Sequence, residues 1–86
     1  MFRHYILGVH ITDRLQNAAP VQGLLTEYGT HIKTRLGLHD LETATPGPQG
    51  LLLLELVDGK ACEALASRLK AITGVDVQQM VFDHPE

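Results

Sequence analysis

Apolar residues along this chain fall into four strand-like runs, separated by two stretches with helical spacing. From Tyr5 to Ile11, the residues Tyr5, Leu7, Val9 and Ile11 share one face while Ile6, Gly8 and His10 share the other, which is the two-residue period of a strand. Thr12-Asp13 then offers an N-cap, with Gln16 placed to complete a capping box, for a helix whose stripe is Leu15, Ala18, Val21, Leu25 and Tyr28. Pro20 removes one internal hydrogen bond, which predicts a kink or a restart there, and Gly29 is expected to end the helix in the left-handed conformation. Thr30 to Leu38 alternates again, with Ile32, Thr34, Leu36 and Leu38 opposed to His31, Lys33, Arg35 and Gly37, so a half-buried second strand is expected. His39 to Gln49 is polar and punctuated by Pro46-Gly47-Pro48, a connection longer than a tight hairpin that is expected to be mobile or ordered by a partner.

The run Leu51-Leu52-Leu53-Leu54-Glu55-Leu56-Val57, bounded by Gly50 and by Asp58-Gly59, has the length of a strand and is far too short to span a membrane. Asp58 can cap a helix from Gly59 or Lys60 through Thr73, with Cys62, Leu65, Leu69 and Ile72 on one stripe and Gly74 at the left-handed terminal position. Val75 to Phe82 alternates as a fourth strand, leaving residues 83–86 as a short tail.

The order strand, helix, strand, strand, helix, strand predicts an α+β, ferredoxin-like βαββαβ fold in which both helices lie on one face of a four-stranded antiparallel sheet. Residues 1–86 are expected to make a single domain. The run 51–57 is then a central strand beside the first, and its apolar residues occupy both faces. Leu52, Leu54 and Leu56 are assigned to the helices. Leu51 and Leu53 fall on the uncovered face, where Ile6, Met80 and Phe82 extend the patch into an expected oligomer interface.

Composition narrows the function classes. Seven basic and ten acidic residues give a formal charge of -3, which offers no general attraction to nucleic acid, and direct nucleic-acid binding is not expected. With Cys62 as the lone cysteine there is no disulfide framework or cysteine-built metal cage in one chain. Met1-Phe2-Arg3-His4-Tyr5 runs straight into the alternating segment without the pattern of a signal peptide, so a cytoplasmic location without membrane attachment is expected. A core this small makes a homodimer or homotetramer the expected state.

His10, His31, His39 and His84 lack the spacing of a metal motif, so neither a metal nor another cofactor is expected, and Cys62 on the helix stripe reads as a buried thiol. Lys33 and Arg35, on the predicted strand face of His31, are candidates to receive a carboxylate or phosphate. Asp40 and Glu42 beside His39 form no recognisable acid and base arrangement, and there is no phosphate loop, dinucleotide fingerprint or nucleophile elbow; an enzymatic role is not expected.

Tyr5-Ile6-Leu7-Gly8-Val9-His10-Ile11, Asp13-Arg14, Leu24-Leu25-Thr26-Glu27-Tyr28-Gly29 and Ile32-Lys33-Thr34-Arg35-Leu36-Gly37-Leu38-His39 together resemble the small proteins grouped as regulators of the iron-only hydrogenase system. These are stand-alone members of the ACT-like superfamily, related to the C-terminal domain of the nickel-responsive regulator. The similarity continues through the leucine strand, Leu65, Leu69 and Lys70, and Gly74-Val75-Asp76-Val77. The resemblance implies an ACT-like domain that forms dimers or tetramers and has a regulatory, small-molecule-sensing role. The nickel regulator's ligand set has no counterpart at a recognisable spacing here. Because ACT domains bind amino acids at subunit interfaces, Gly8 and Gly37 join His10, His31, Lys33, Arg35 and His39 as candidate ligand-binding residues. The alternatives are a structural or protein-interaction module docking a protein partner and, more remotely, histidine-based binding of a transition metal.

Overall fold

Strand-period and helix-period segments form the expected elements in the computed structural model, which describes residues 2–12, 14–38 and 50–84. They are β1 (Phe2–Ile11), α1 (Arg14–Glu27), a 3-10 turn (Gly29–His31), β2 (Ile32–Leu38), β3 (Gly50–Leu56), α2 (Gly59–Lys70) and β4 (Val75–His84). The strands pair antiparallel in the order β2-β3-β1-β4, giving a ferredoxin-like α+β fold with β1 and β3 central. The capping box at Asp13 and the connection 39–49 lie outside the described residues, as do Pro85 and Glu86.

One sheet face carries the core. Leu7 and Val9 of β1 and Leu54 and Leu56 of β3 pack with Val21 and Leu25 of α1 and with Cys62, Leu65 and Leu69 of α2, all essentially buried. Fully burying each such leucine contributes about 1.5–3 kcal/mol relative to exposure. Leu52 packs against this cluster from the same face, so the set Leu52, Leu54 and Leu56 faces the helices as expected.

Besides the end of α2, which comes at Lys70 and not at the expected Thr73, four local outcomes differ from the sequence pattern. The α1 helix does not restart at Pro20 but continues to Glu27, because Val21 and Leu25 must stay on one stripe to reach the core and that tertiary gain outweighs one missing N–H. Gly29 is not left-handed; the chain leaves α1 through the 3-10 turn, which takes up Thr30 and His31, residues expected in a strand. A register irregularity between Ile32 and Thr34 breaks the alternation of β2. Ile32 packs on the core, yet Leu36 lies opposite Leu53 and is 50% exposed, so the strand is not half buried along one continuous set. Finally, β4 pairs with β1 out to His84, through two residues read as tail, because β1 itself begins at Phe2 and supplies partners for them.

The two ends of the helical layer are tied together at one knot. Asn17 of α1, the buried polar side chain among the described residues, donates from Nδ2 to the Thr73 carbonyl at 2.8 Å. Thr12 donates from both its backbone N–H and its hydroxyl to the Gly74 carbonyl, at 2.8 and 2.7 Å. Gly74 has φ +87°, and a Cβ there would stand 2.8 Å from Asn17 Nδ2 and 3.0 Å from Thr12 Oγ1. Left-handed backbone costs an L-residue about 1–2 kcal/mol, and a lost hydrogen bond adds about 1 kcal/mol. Gly74→Ala is therefore expected to lower the stability by about 2–3 kcal/mol in urea unfolding. Gly29→Ala should stay within about 0.5 kcal/mol of the parent, since that glycine is neither left-handed nor crowded.

Candidate functional site

Helices on one side leave the other sheet face open, and the register fixes what stands there. Across the sheet, Leu51 of β3 sits beside His10 of β1 and Asp76 of β4; next come Leu36, Leu53, Gly8 and Gln78; then Thr34, Glu55, Ile6 and Met80; and last His4 beside Phe82. Leu51, Met80 and Phe82 are 38%, 46% and 53% exposed, large apolar side chains that nothing among the described residues covers. Ile6, Leu51, Leu53, Met80 and Phe82 thus share one face, opposite the helices.

A charged cluster interrupts this face. Glu55, the one acidic residue of the leucine strand, has its Oε2 2.6 Å from Nδ1 of His4 and 4.0 Å from Nζ of Lys33, joining β3 to both of its neighbours. The hydrogen bond to His4, more than the nearby Lys33 charge, holds the Glu55 carboxyl below its usual range against the opposing effect of burial. The signal in the sequence was a lone carboxylate at an open-face position of an apolar strand. Its partner, 51 residues away, needed the register.

The candidate ligand-binding residues do not gather in one place. The shift in β2 turns Arg35 to the helix face, where its Nη2 donates to Gln22 Oε1 of α1 at 2.7 Å, while Lys33 reaches Glu55 on the open face. The shared face expected for His31, Lys33 and Arg35 is therefore not what the sheet builds: one residue of slippage inverts the strand beyond it. Gly8 opens onto the uncovered face beside Leu53, whereas Gly37 lies over Leu52 on the opposite one. His10 shares the open face with Gly8; His31 sits in the 3-10 turn with its ring 6.3 Å from that of Tyr28; His39 lies outside the described residues. Among the described residues no group of three or more His, Cys, Asp or Glu is placed to hold a metal ion, and no helix is long and apolar enough to cross a membrane.

Cys62 is buried in the core, and burial, with a smaller effect from Glu63, pushes its thiol pKa up. On the outside of the helical layer, Arg68 pairs with Glu27 and lies over the Tyr28 ring at 5.7 Å, clamping α2 to the end of α1.

No family model matches the sequence, and no curated protein does either. Two of the solved structures that share the fold are instructive. An uncharacterized protein from Thermotoga maritima, TM1266, is 26% identical, with a TM-score of 0.78 over 95% of this chain and 100% of that one. A nitrogen regulatory PII-like protein from Thiomonas intermedia K12, solved bound to ADP, AMP and bicarbonate, is 14% identical, with a TM-score of 0.53 over 99% of this chain and 98% of that one.

Two measurements check this site. Because the folded-state pKa of Glu55 is depressed, its stabilising contribution is present above the unfolded carboxylate value, 4.5, and is lost as pH falls through the lower folded value. Unfolding free energies measured from pH 6 to pH 2 should therefore fall less steeply for Glu55→Gln than for the parent; equal slopes would mean that the carboxylate has no such contribution. Cys62 should resist iodoacetamide in the native protein and react promptly in urea, as mass spectrometry would record; fast native labelling would contradict its burial.

Proposed function

We propose that this chain is a regulatory, small-molecule-sensing domain of the ACT-like type, assembled into dimers or tetramers through the uncovered face of its sheet, with no catalytic role. The observation that carries the reading is the open apolar face of Ile6, Leu51, Leu53, Met80 and Phe82 with a polar cluster set into it. Apolar patches rimmed by polar groups mark binding surfaces, and a chain of 86 residues gains from a second layer of packing. The fold shared with a PII-like regulator and the resemblance to regulators of the iron-only hydrogenase system both support a regulatory reading.

The cluster also suggests the effector's chemistry. An anionic effector would compete with Glu55 for Lys33 and His4, and a cation would compete with them for Glu55. A zwitterion exchanges both at once with the least change in net charge, so amino acids lead the panel, with adenine nucleotides and bicarbonate included because the PII-like protein holds ADP, AMP and bicarbonate on this fold. A second reading, a protein-interaction module without an effector, draws on the separation of Lys33 from Arg35, which leaves one chain without a converging anion site among its described residues.

Thermal-shift screening and native mass spectrometry separate the two. A sensed compound at about 100 times its Kd should stabilise the fold by about 2.7 kcal/mol, a rise in Tm on the order of 10 °C or more for a domain of this size. The response should weaken in Lys33→Ala. No shift across the panel from a stable oligomer would favour the interaction module, and a monomer at micromolar concentration would overturn assembly through the sheet.

A further inference from the structure

The apolar residues of the open face form a diagonal. Moving one row along the sheet moves them across it, from Leu36 and Leu51 through Leu53 to Ile6, Met80 and Phe82. Two polar corners flank this stripe. Asp76, with His10 and Gln78, fills one; Lys33, with Thr34, Glu55 and His4, fills the other.

We infer that this face meets a second copy of the same chain about a two-fold axis lying along the stripe, so that Asp76 of each copy comes to the Lys33 corner of the other. The inference rests on the sheet-mediated assembly proposed above and specifies its geometry. Two in-plane two-folds would lay stripe on stripe. An axis across the stripe maps each polar corner onto itself, setting Asp76 against Asp76 and one Lys33–Glu55 pair against the other. An axis along the stripe exchanges the corners, setting Asp76 twice against Lys33, the more exposed member of the Lys33–Glu55 pair, and brings Leu53 and Ile6, near the axis, against their own counterparts. Like charges face to face are costly and opposite charges fix register, so the charge pattern selects the second arrangement. Because the stripe runs oblique to the strands, the two sheets cross steeply, within the orthogonal class of sheet packing. Lys33 is 60% exposed on its side chain and Glu55 only 21%, so the ammonium has room to be shared with the incoming Asp76.

The test is sedimentation of the full chain at low and high salt, with self-crosslinking as a second arm. Lys33→Glu and Asp76→Lys should each raise the dimer Kd by about tenfold or more at low salt, with a smaller effect at high salt, and the double variant should recover most of the loss. Leu53→Cys, oxidised mildly, should crosslink to its own copy, while the parent, whose Cys62 is buried, should not. If both reversals leave the Kd unchanged and Leu53→Cys fails to crosslink, while Leu53→Asp still dissociates a protein that keeps its circular dichroism, the geometry is wrong and assembly through the face stands. If Leu53→Asp leaves the oligomer intact, both fall.

Discussion

Two helices can cover one face of a four-stranded sheet, and the rest of this molecule follows from that limit. The covered face collects Leu7, Val9, Leu54 and Leu56 into the core. The opposite face has no third layer among the described residues, yet β3 places Leu51 and Leu53 on it, and Ile6, Met80 and Phe82 join them. Burying one such side chain in a second layer contributes about 1.5–3 kcal/mol before the cost of association, so a partner has more to offer this face than to any other surface described. A lone carboxylate could not be left in such a setting uncompensated. Glu55 is compensated from both sides, by His4 on one neighbouring strand and Lys33 on the other.

The irregularity at Ile32 and Thr34 has a similar reach. Without it, Ile32, Leu36 and Leu38 would occupy one face of an edge strand, and Lys33 and Arg35 the other. With it, Ile32 seals the core beneath α1, Leu36 extends the open stripe to the sheet edge, and Arg35 bonds to Gln22 on the helical layer. One residue of slippage thus serves both layers, joining the edge strand to α1 on one side and lengthening the apolar surface on the other.

What was legible in the sequence was governed by local rules. Element order came from periodicity, and the Asp58 cap, whose Oδ1 accepts from the Ala61 N–H at 2.7 Å, came from terminal chemistry; Gly74 is left-handed as expected, but in the turn after α2 and not at the end of the helix. The two-sided strand was visible as an apolar run where alternation was due. The features that escaped depend on pairing between distant segments: the slip in β2, the extension of β4 to His84, the 3-10 exit at Gly29, and the contact of His4 with Glu55. Asn17 escaped for the same reason, since its role is to hold the Thr73 carbonyl across the fold. Of the candidate site, the apolar half could be read from alternation alone. The polar half could not, because Lys33 and Arg35 are two apart in sequence yet stand on opposite sides of the sheet.

An apolar face on a small domain is also a hazard, and its arrangement bears on how assembly would stop. A uniformly apolar face could slide, stacking in many registers. A diagonal stripe with unlike corners cannot rotate or shift without burying Asp76 or Glu55 against apolar neighbours, at a desolvation cost that grows with each displaced charge. A two-fold contact also uses each face once and is closed, whereas pairing through the exposed edges of β2 and β4 would leave new edges free for further addition. In the proposed two-fold contact, the charges that interrupt the apolar surface would therefore reduce its total attraction while restricting it to one partner in one orientation.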